Sequence, residues 1–331
     1  MSAQAKKIAV LGAGSWGTAL ANHMAENGFS VALWMRDSEL VGLIKSTGMN
    51  AVYLPGVQLS KNIQPTFVLS SALSGADMVI SAVPSHGIRA IFKEAGRLAG
   101  DAVVVNAAKG IEEETCLTCS AVLKESGVKK VVVLSGPSFA REVASKLPCA
   151  LVAASDDAAT AEAVQDAVSG ATLRVYTNPD VMGVELGGAI KNVMAIAAGI
   201  SDGLGLGSNA RAALITRGLA EMTRLGRAMG ARAETFFGLS GLGDLVLTCT
   251  GDLSRNRKVG MSMGGGQTLE EATAGMKMVA EGIRTARAVK KLARKHDVEM
   301  PITEEINRVL YEGRSPRKAV MELMTRRLKH E

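Results

Sequence analysis

The sequence predicts an α/β domain built on a doubly wound parallel sheet, followed by an all-α domain. Three observations predict it. Short continuous apolar runs alternate with helical stretches from Ile8 to about Thr177. The pattern Gly12-x-Gly14-x-x-Gly17 stands where the first run gives way to the first helix. Beyond Thr177 the β-branched runs almost vanish and helical stretches take over. A chain of 331 residues suits this division, because one core seldom organises more than about 250–300 residues. The boundary is expected at Asp180, giving domains 1–180 and 181–331.

The elements follow in order. Ile8 to Leu11 is an apolar run of strand length that ends in glycine. Ser15 to Asn27 reads as a helix, with Gly28 in the left-handed position that stops one. Ser30 to Trp34, Met78 to Val83 (stopped by Pro84), Ala102 to Asn106, Val131 to Leu134 and Ala150 to Ala153 continue the strands. Ile88 to Leu98 and Thr115 to Glu125 are helical segments between them. Strands that are apolar throughout are buried on both faces, which requires helices on each side of a mainly parallel sheet. Asn178-Pro179-Asp180 is a turn and a helix start. After it, Val181 to Ala198, Asn209 to Met229, Leu269 to Met276, Glu281 to His296 and Pro316 to Lys329 read as helices. Gly264-Gly265-Gly266 reads as a flexible turn.

Composition narrows the function classes. Hydrophobic residues make up 47%, too many for a disordered chain. The formal charge of +6 favours anionic partners. Aromatics at 3% supply too few stacking platforms for single-stranded nucleic acid, so no nucleic-acid partner is expected. Cys116-x-x-Cys119 has the spacing of half a zinc site, but no second pair follows, so no metal is expected and the thiols read as reduced core residues. That suits a cytoplasmic location. The glycines at 12, 14 and 17 interrupt what would otherwise pass for a signal-peptide apolar run. No uninterrupted apolar run reaches the length of a membrane span, so no integral membrane association is expected.

The glycine pattern acquires meaning from its place between a strand and a helix. The first glycine permits a tight turn, the second lets backbone approach a pyrophosphate, and the third lets helix and strand pack closely. The helix N-terminus offers N–H groups and partial positive charge to the phosphates. The junction reads as a Rossmann dinucleotide site, with Gly12, Gly14 and Gly17 as cofactor residues. The second strand ends Trp34-Met35-Arg36-Asp37. An acid there takes ribose hydroxyls of NAD, whereas an arginine accommodates the extra phosphate of NADP. Arg36 tilts the expectation to NADP, with NAD left open.

Lys191 lies in a helix of small and apolar residues, with Gly187, Gly188, Met194 and Ala195 on its own face. An ammonium buried there must be paired or have its pKa lowered, so Lys191 is a candidate general acid/base. Lys109 and the segment Ser135-Gly136-Pro137-Ser138-Phe139-Ala140 follow strand ends, where open α/β sheets bind ligands. Gly238 to Asp244 is a glycine-rich bend whose Asp244 could orient a substrate hydroxyl. Ser254-Arg255-Asn256 joins an arginine, which matches phosphate bidentately, to two further donors.

Taken with Gly12 to Gly17, Asn106 to Gly110, Glu185 to Asn192 and Val279-Ala280-Glu281-Gly282, these segments resemble the bacterial NAD(P)-dependent glycerol-3-phosphate dehydrogenases, in family order across almost the whole chain. The resemblance implies reversible reduction of dihydroxyacetone phosphate to sn-glycerol 3-phosphate, feeding glycerophospholipid synthesis, by a homodimer. It implies Lys191 as the proton acceptor. Lys109, Gly136, Ser138, Asp244, Ser254, Arg255 and Asn256 would contact substrate. Ser15, Trp16, Arg36, Lys109, Ala140, Arg255, Val279 and Glu281 would contact cofactor. Two alternatives remain: a related two-domain dehydrogenase acting on a 3-hydroxy acid or sugar acid, and a non-catalytic NAD(P)-sensing regulator.

Overall fold

A computed structural model describes residues 6–276, 278 and 280–328. The chain divides into two compact units, one formed by Met1–Lys109 with Thr118–Val181, the other by Gly110–Leu117 with Met182–Glu331.

The first unit holds eight strands among the described residues: β1 (Lys7–Leu11), β2 (Ser30–Trp34), β3 (Ile63–Thr66), β4 (Met78–Ser81), β5 (Val103–Asn106), β6 (Lys130–Ser135), β7 (Cys149–Ala154) and β8 (Leu173–Asn178). They form one sheet in the order β3-β2-β1-β4-β5-β6-β7-β8. Every pairing is parallel except β6 with β7. The order reverses between β1 and β4, so the carboxyl ends of those strands mark the switch point at which such sheets bind ligands. The expected doubly wound sheet is present.

Two strands escape the apolar-run reading, and both are edges. In β3 the residue paired with Leu33 is Pro65, which has no N–H to give a second neighbour and is tolerated only at an edge. In β8 Leu173 and Val175 are buried while Arg174 and Tyr176 are exposed, the alternation of a half-solvated strand. The helix expected from Thr115 begins instead at Cys119. Before it Cys116 is left-handed (φ 61°), and Glu112 N–H donates to Leu117 O at 2.9 Å, closing a turn that cannot be helical. Gly28 has the expected positive φ of 93°.

The second unit is helical. Its core helix, Val181–Gly203, is long and apolar enough to cross a bilayer by composition, yet 89% of its most apolar stretch is buried inside the fold. Against it packs the helix Arg255–Gly264. A Cβ on Gly199 would stand 2.0 Å from Arg257 O, one on Gly203 2.3 Å from Met261 O, one on Gly260 2.1 Å from Ile196 O and one on Gly264 2.5 Å from Ile200 O. Each helix thus carries two glycines four residues apart that admit the backbone of the other. Gly264, expected in a flexible turn, is the last residue of this helix and part of the crossing.

Helix Gly207–Ala228 carries a carboxylate in an apolar setting. Glu221 is 2% exposed and accepts from Ile302 N (2.7 Å) and Thr303 N (3.3 Å) at the start of helix Pro301–Tyr311. Burial raises its pKa from 4.5 to about 7, against those two N–H donors, which lower it. A carboxyl whose folded pKa is raised adds stability that is complete below its unfolded value and is lost as pH climbs through about 7. Between pH 5 and 8 this group alone should remove up to about 3 kcal/mol. Thermal melts across that range should show a shallower decline for Glu221→Gln than for the wild type, and parallel curves would refute the assignment.

Candidate functional site

In the first unit the glycine loop leaves β1 at Gly12, whose φ is 106°. A Cβ there would meet Ala82 O at 2.8 Å, and one at Gly17 would meet Gly12 O at 1.8 Å. These two glycines are required by the turn and by the packing of helix Ser15–Glu26 on the strand. Gly14 differs, because a Cβ there would point into open space. Asn50 locks the loop by donating to Ala13 O (2.9 Å) and Thr18 Oγ1 (2.8 Å). The Ser15 hydroxyl donates to Tyr53 O.

The loop fits a pyrophosphate. The first turn of helix Ser15–Glu26 has neither a side-chain cap nor an acid, leaving its N–H groups and dipole for an anion. Trp16 Nε1, Ser81 Oγ at the end of β4 and Ser135 Oγ at the end of β6 are buried with no partner inside the protein. Buried donors of this kind are normally satisfied, and a bound polar molecule would satisfy them. Sequence reading missed Ser81, although its place at a strand end beside the switch point could have flagged it.

Past β2, Arg36 is exposed. Asp37 caps the helix Ser38–Thr47, its Oδ1 accepting from Glu39 N (2.9 Å) and Leu40 N (3.1 Å). The acid weighed as a ribose ligand therefore has a structural task. Lys109 follows β5 and donates from Nζ to Gly136 O at 2.7 Å. The Ser138 hydroxyl donates to the same carbonyl at 3.1 Å. Gly136, with φ 137°, holds a backbone shape that other residues seldom adopt. Ala140 opens the short helix Ala140–Ala144. The partly buried thiol of Cys149 is pushed up by desolvation and drawn back by the charge of Lys109.

In the second unit Lys191 is 6% exposed. Its Nζ donates to Asp244 Oδ1 at 2.7 Å and to Thr248 Oγ1 at 2.6 Å. The Thr248 hydroxyl donates in turn to Asp244 O at 2.6 Å. Asp244, 1% exposed, begins helix Asp244–Thr250 directly after a single π-turn, Leu239–Gly243. Glycine permits that turn to lie so close: a Cβ on Gly187 would reach Ser240 O at 2.6 Å, and one on Gly241 would reach Phe236 O at 2.2 Å. The bend thus brings a carboxylate and a hydroxyl onto a lysine more than fifty residues away. Thr248 was not anticipated, although its spacing of four from Asp244 places both on one helix face. Cys249, buried beside this pair, is pushed up to about 12 by desolvation.

The segment Ser254-Arg255-Asn256 opens helix Arg255–Gly264. Ser254 Oγ accepts from Arg257 N at 3.2 Å as the cap. Asn256 donates from Nδ2 to Asn192 Oδ1 at 2.9 Å and accepts from Gly282 N at 3.0 Å on Oδ1. It therefore ties three helices together. Arg257 is bound by Asp202 (2.8 Å) and Asp252 (2.9 Å). Arg255 stays exposed. Its guanidinium end is nonetheless crowded by protein, and that desolvation lowers its pKa while the carboxylate of Glu281 opposes the shift; the group remains charged at any working pH. Glu281 starts helix Glu281–Lys295, and Val279 lies outside the described residues. Among the described residues no group of three or more His, Cys, Asp or Glu could hold a metal ion. Cys116 and Cys119 are thiols outside any disulfide.

Comparison with known proteins places this geometry in context. The family described as "NAD-dependent glycerol-3-phosphate dehydrogenase N-terminus" matches residues 7–161, and its C-terminus counterpart matches 180–321. The chain is 55% identical over 331 residues to a glycerol-3-phosphate dehydrogenase [NAD(P)+] of Geobacter sulfurreducens, covering 98% of this chain and 99% of that one. It is 54% identical to the protein of that name from Geobacter sp. strain M21, covering 99% of each. The crystal structure of glycerol-3-phosphate dehydrogenase from Coxiella burnetii superposes with a TM-score of 0.94 at 41% identity, covering 97% of this chain and 99% of that one.

Proposed function

Because the chain belongs to the NAD-dependent glycerol-3-phosphate dehydrogenase family, we propose that it catalyses the reversible reduction of dihydroxyacetone phosphate to sn-glycerol 3-phosphate with NAD(P)H. The observation that carries this reading is the buried Lys191 held by Asp244 and Thr248. A dinucleotide held on the Gly12–Gly17 loop would supply hydride chemistry toward the ketone carbon. Lys191 Nζ gives the proton that the carbonyl oxygen needs as it becomes an alcohol, and recovers it in the oxidative direction. Asp244 and Thr248 fix where that proton is held. Lys109, with Gly136 and Ser138, supplies a cation and polar groups for the reacting end of the substrate.

Arg255 is the proposed phosphate ligand: Arg257 is taken up by Asp202 and Asp252, whereas Arg255 is exposed with the charge of Glu281 acting on it. Ser254, an acceptor in its cap, keeps its hydroxyl proton for a ligand oxygen. Asn256 keeps one amide hydrogen beyond the one given to Asn192. On the nucleotide side Gly12, Gly14, Ser15, Trp16, Gly17, Ala140 and Glu281 retain the cofactor roles that the family resemblance assigns them. Val279 carries the same proposal.

The decisive assay mixes protein, NADPH and dihydroxyacetone phosphate and follows loss of reduced-nicotinamide absorbance. Turnover of that ketone supports the reading. Turnover only of a 3-keto acid or a keto sugar acid would favour a related dehydrogenase, and binding without turnover a regulator. The reading includes a cytoplasmic location, a homodimer and product use in glycerophospholipid synthesis; light scattering tests the dimer.

With Asp37 engaged as a cap, Arg36 supports NADP over NAD. Arg36→Gln should raise KM for NADPH about 10–100-fold, the value of one or two charge-assisted hydrogen bonds. KM for NADH should barely move. Equal effects on both cofactors would remove Arg36 from the phosphate.

A further inference from the structure

We propose that the C-terminal face of the second unit docks on an anionic lipid bilayer through Met321, Met324 and Leu328, framed by Arg317, Lys318, Arg326 and Arg327. Helix Pro316–Met324 starts at a Ser315 cap and buries Ala319, with Val320 and Leu323 half-buried. The opposite side is apolar and open. Met321 is 62% exposed, Met324 76% and Leu328, just past the helix, 94%. Met321 and Met324 lie three residues apart on one helix face. Long apolar side chains left this open together mark a contact surface rather than chance exposure.

The surrounding charge selects the partner. Arg317, Lys318, Arg326 and Arg327 are all exposed. Glu322 stands 4.0 Å from Arg314 and Glu299 stands 3.4 Å from Arg326, so Arg326 already faces an acid and the positive excess rests on Arg317, Lys318 and Arg327. Apolar side chains flanked by cations suit the acyl boundary and the headgroups of an anionic leaflet. A second copy of the chain is a poorer match. A two-fold contact would set this patch against itself and bring cation to cation. Nucleic acid is poorer still, because the face has no aromatic ring; nearby Tyr311 already lies under Arg287 at 3.7 Å. The proposal does not depend on the reaction catalysed.

The test is co-sedimentation of the full chain with vesicles of phosphatidylcholine containing about 30 mol% phosphatidylglycerol, against vesicles of phosphatidylcholine alone. Affinity should be at least about tenfold higher for the anionic vesicles and should fall with added salt. Arg317→Gln with Arg327→Gln should weaken it by about tenfold or more, since each surface cation is worth about fivefold. Met321→Ser with Met324→Ser should weaken it comparably, while melting temperature and turnover stay at wild-type values. Lys129→Gln with Lys130→Gln, exposed on the first unit, should change nothing. No binding to anionic vesicles would overturn the proposal. So would equal binding to both vesicle types, an unaltered Met321/Met324 variant, or loss of a dimer in that variant instead of loss of vesicle binding.

Discussion

Lys191→Ala should lower turnover of dihydroxyacetone phosphate by about 10²–10⁴, the usual contribution of a positioned proton-transfer group, and leave NADPH affinity nearly unchanged. The substitution has a second consequence that must be separated from the first. It leaves the Asp244 carboxylate, 1% exposed, without its cation. An uncompensated buried charge costs about 3–5 kcal/mol, so part of any loss could arise from unfolding. The double change Lys191→Met with Asp244→Asn removes the stranded charge and fills the volume. Its melting temperature should recover toward wild type while turnover stays low. Recovery of both would mean that Lys191 only supports the fold, and normal turnover in Lys191→Ala would end its assignment outright.

A large loss of stability with every charge left in place should come from Gly199→Ala. The added methyl carbon would lie 2.0 Å from Arg257 O and 2.9 Å from Met261 N, and the obstacle is helix backbone, which cannot rotate away. The two helices must separate, at a cost of about 3 kcal/mol, with a matching fall in the denaturant midpoint. Gly42→Ala is the contrast: nothing lies within 4 Å of a Cβ there, and alanine is the better helix former by about 0.8–1 kcal/mol. That variant should melt at or above the wild-type temperature. Equal midpoints for the two variants would show that the crossing relaxes freely.

What could be read from the sequence was whatever is unusual in its own neighbourhood. Gly12, Gly14 and Gly17 occupy a recognisable junction, and Lys191 stands alone among small apolar residues. Interior strands are visible because burial on both faces makes them continuously apolar; β3 and β8, at the edges, carry no such mark. Pairings remained hidden because they arise only in three dimensions. Thr248 and Asn192 look like ordinary helical residues, and nothing local in Asn256 says that its amide joins Asn192 to Gly282. Glu221 reads as a surface acid until Ile302 and Thr303 are brought to it. Asp37 was visible, but capping and ribose binding ask for the same residue at the same place.

The short excursion of Gly110–Leu117 into the second unit has a consequence for biosynthesis. Glu113 meets Arg287 at 3.1 Å, and its carbonyl accepts from Lys291 at 2.9 Å. Those partners are encoded 174 and 178 residues downstream. At ribosomal speeds of about 5–20 residues per second, Glu113 waits roughly 10–35 s before Arg287 leaves the tunnel. The sheet order requires only that β5 and β6 come together, so the nucleotide-binding unit can close early with this stretch left as an unfastened loop. Nascent chains arrested before residue 287 should therefore be cut by a protease between Gly110 and Leu117, and become resistant there once the helix Glu281–Lys295 has been made.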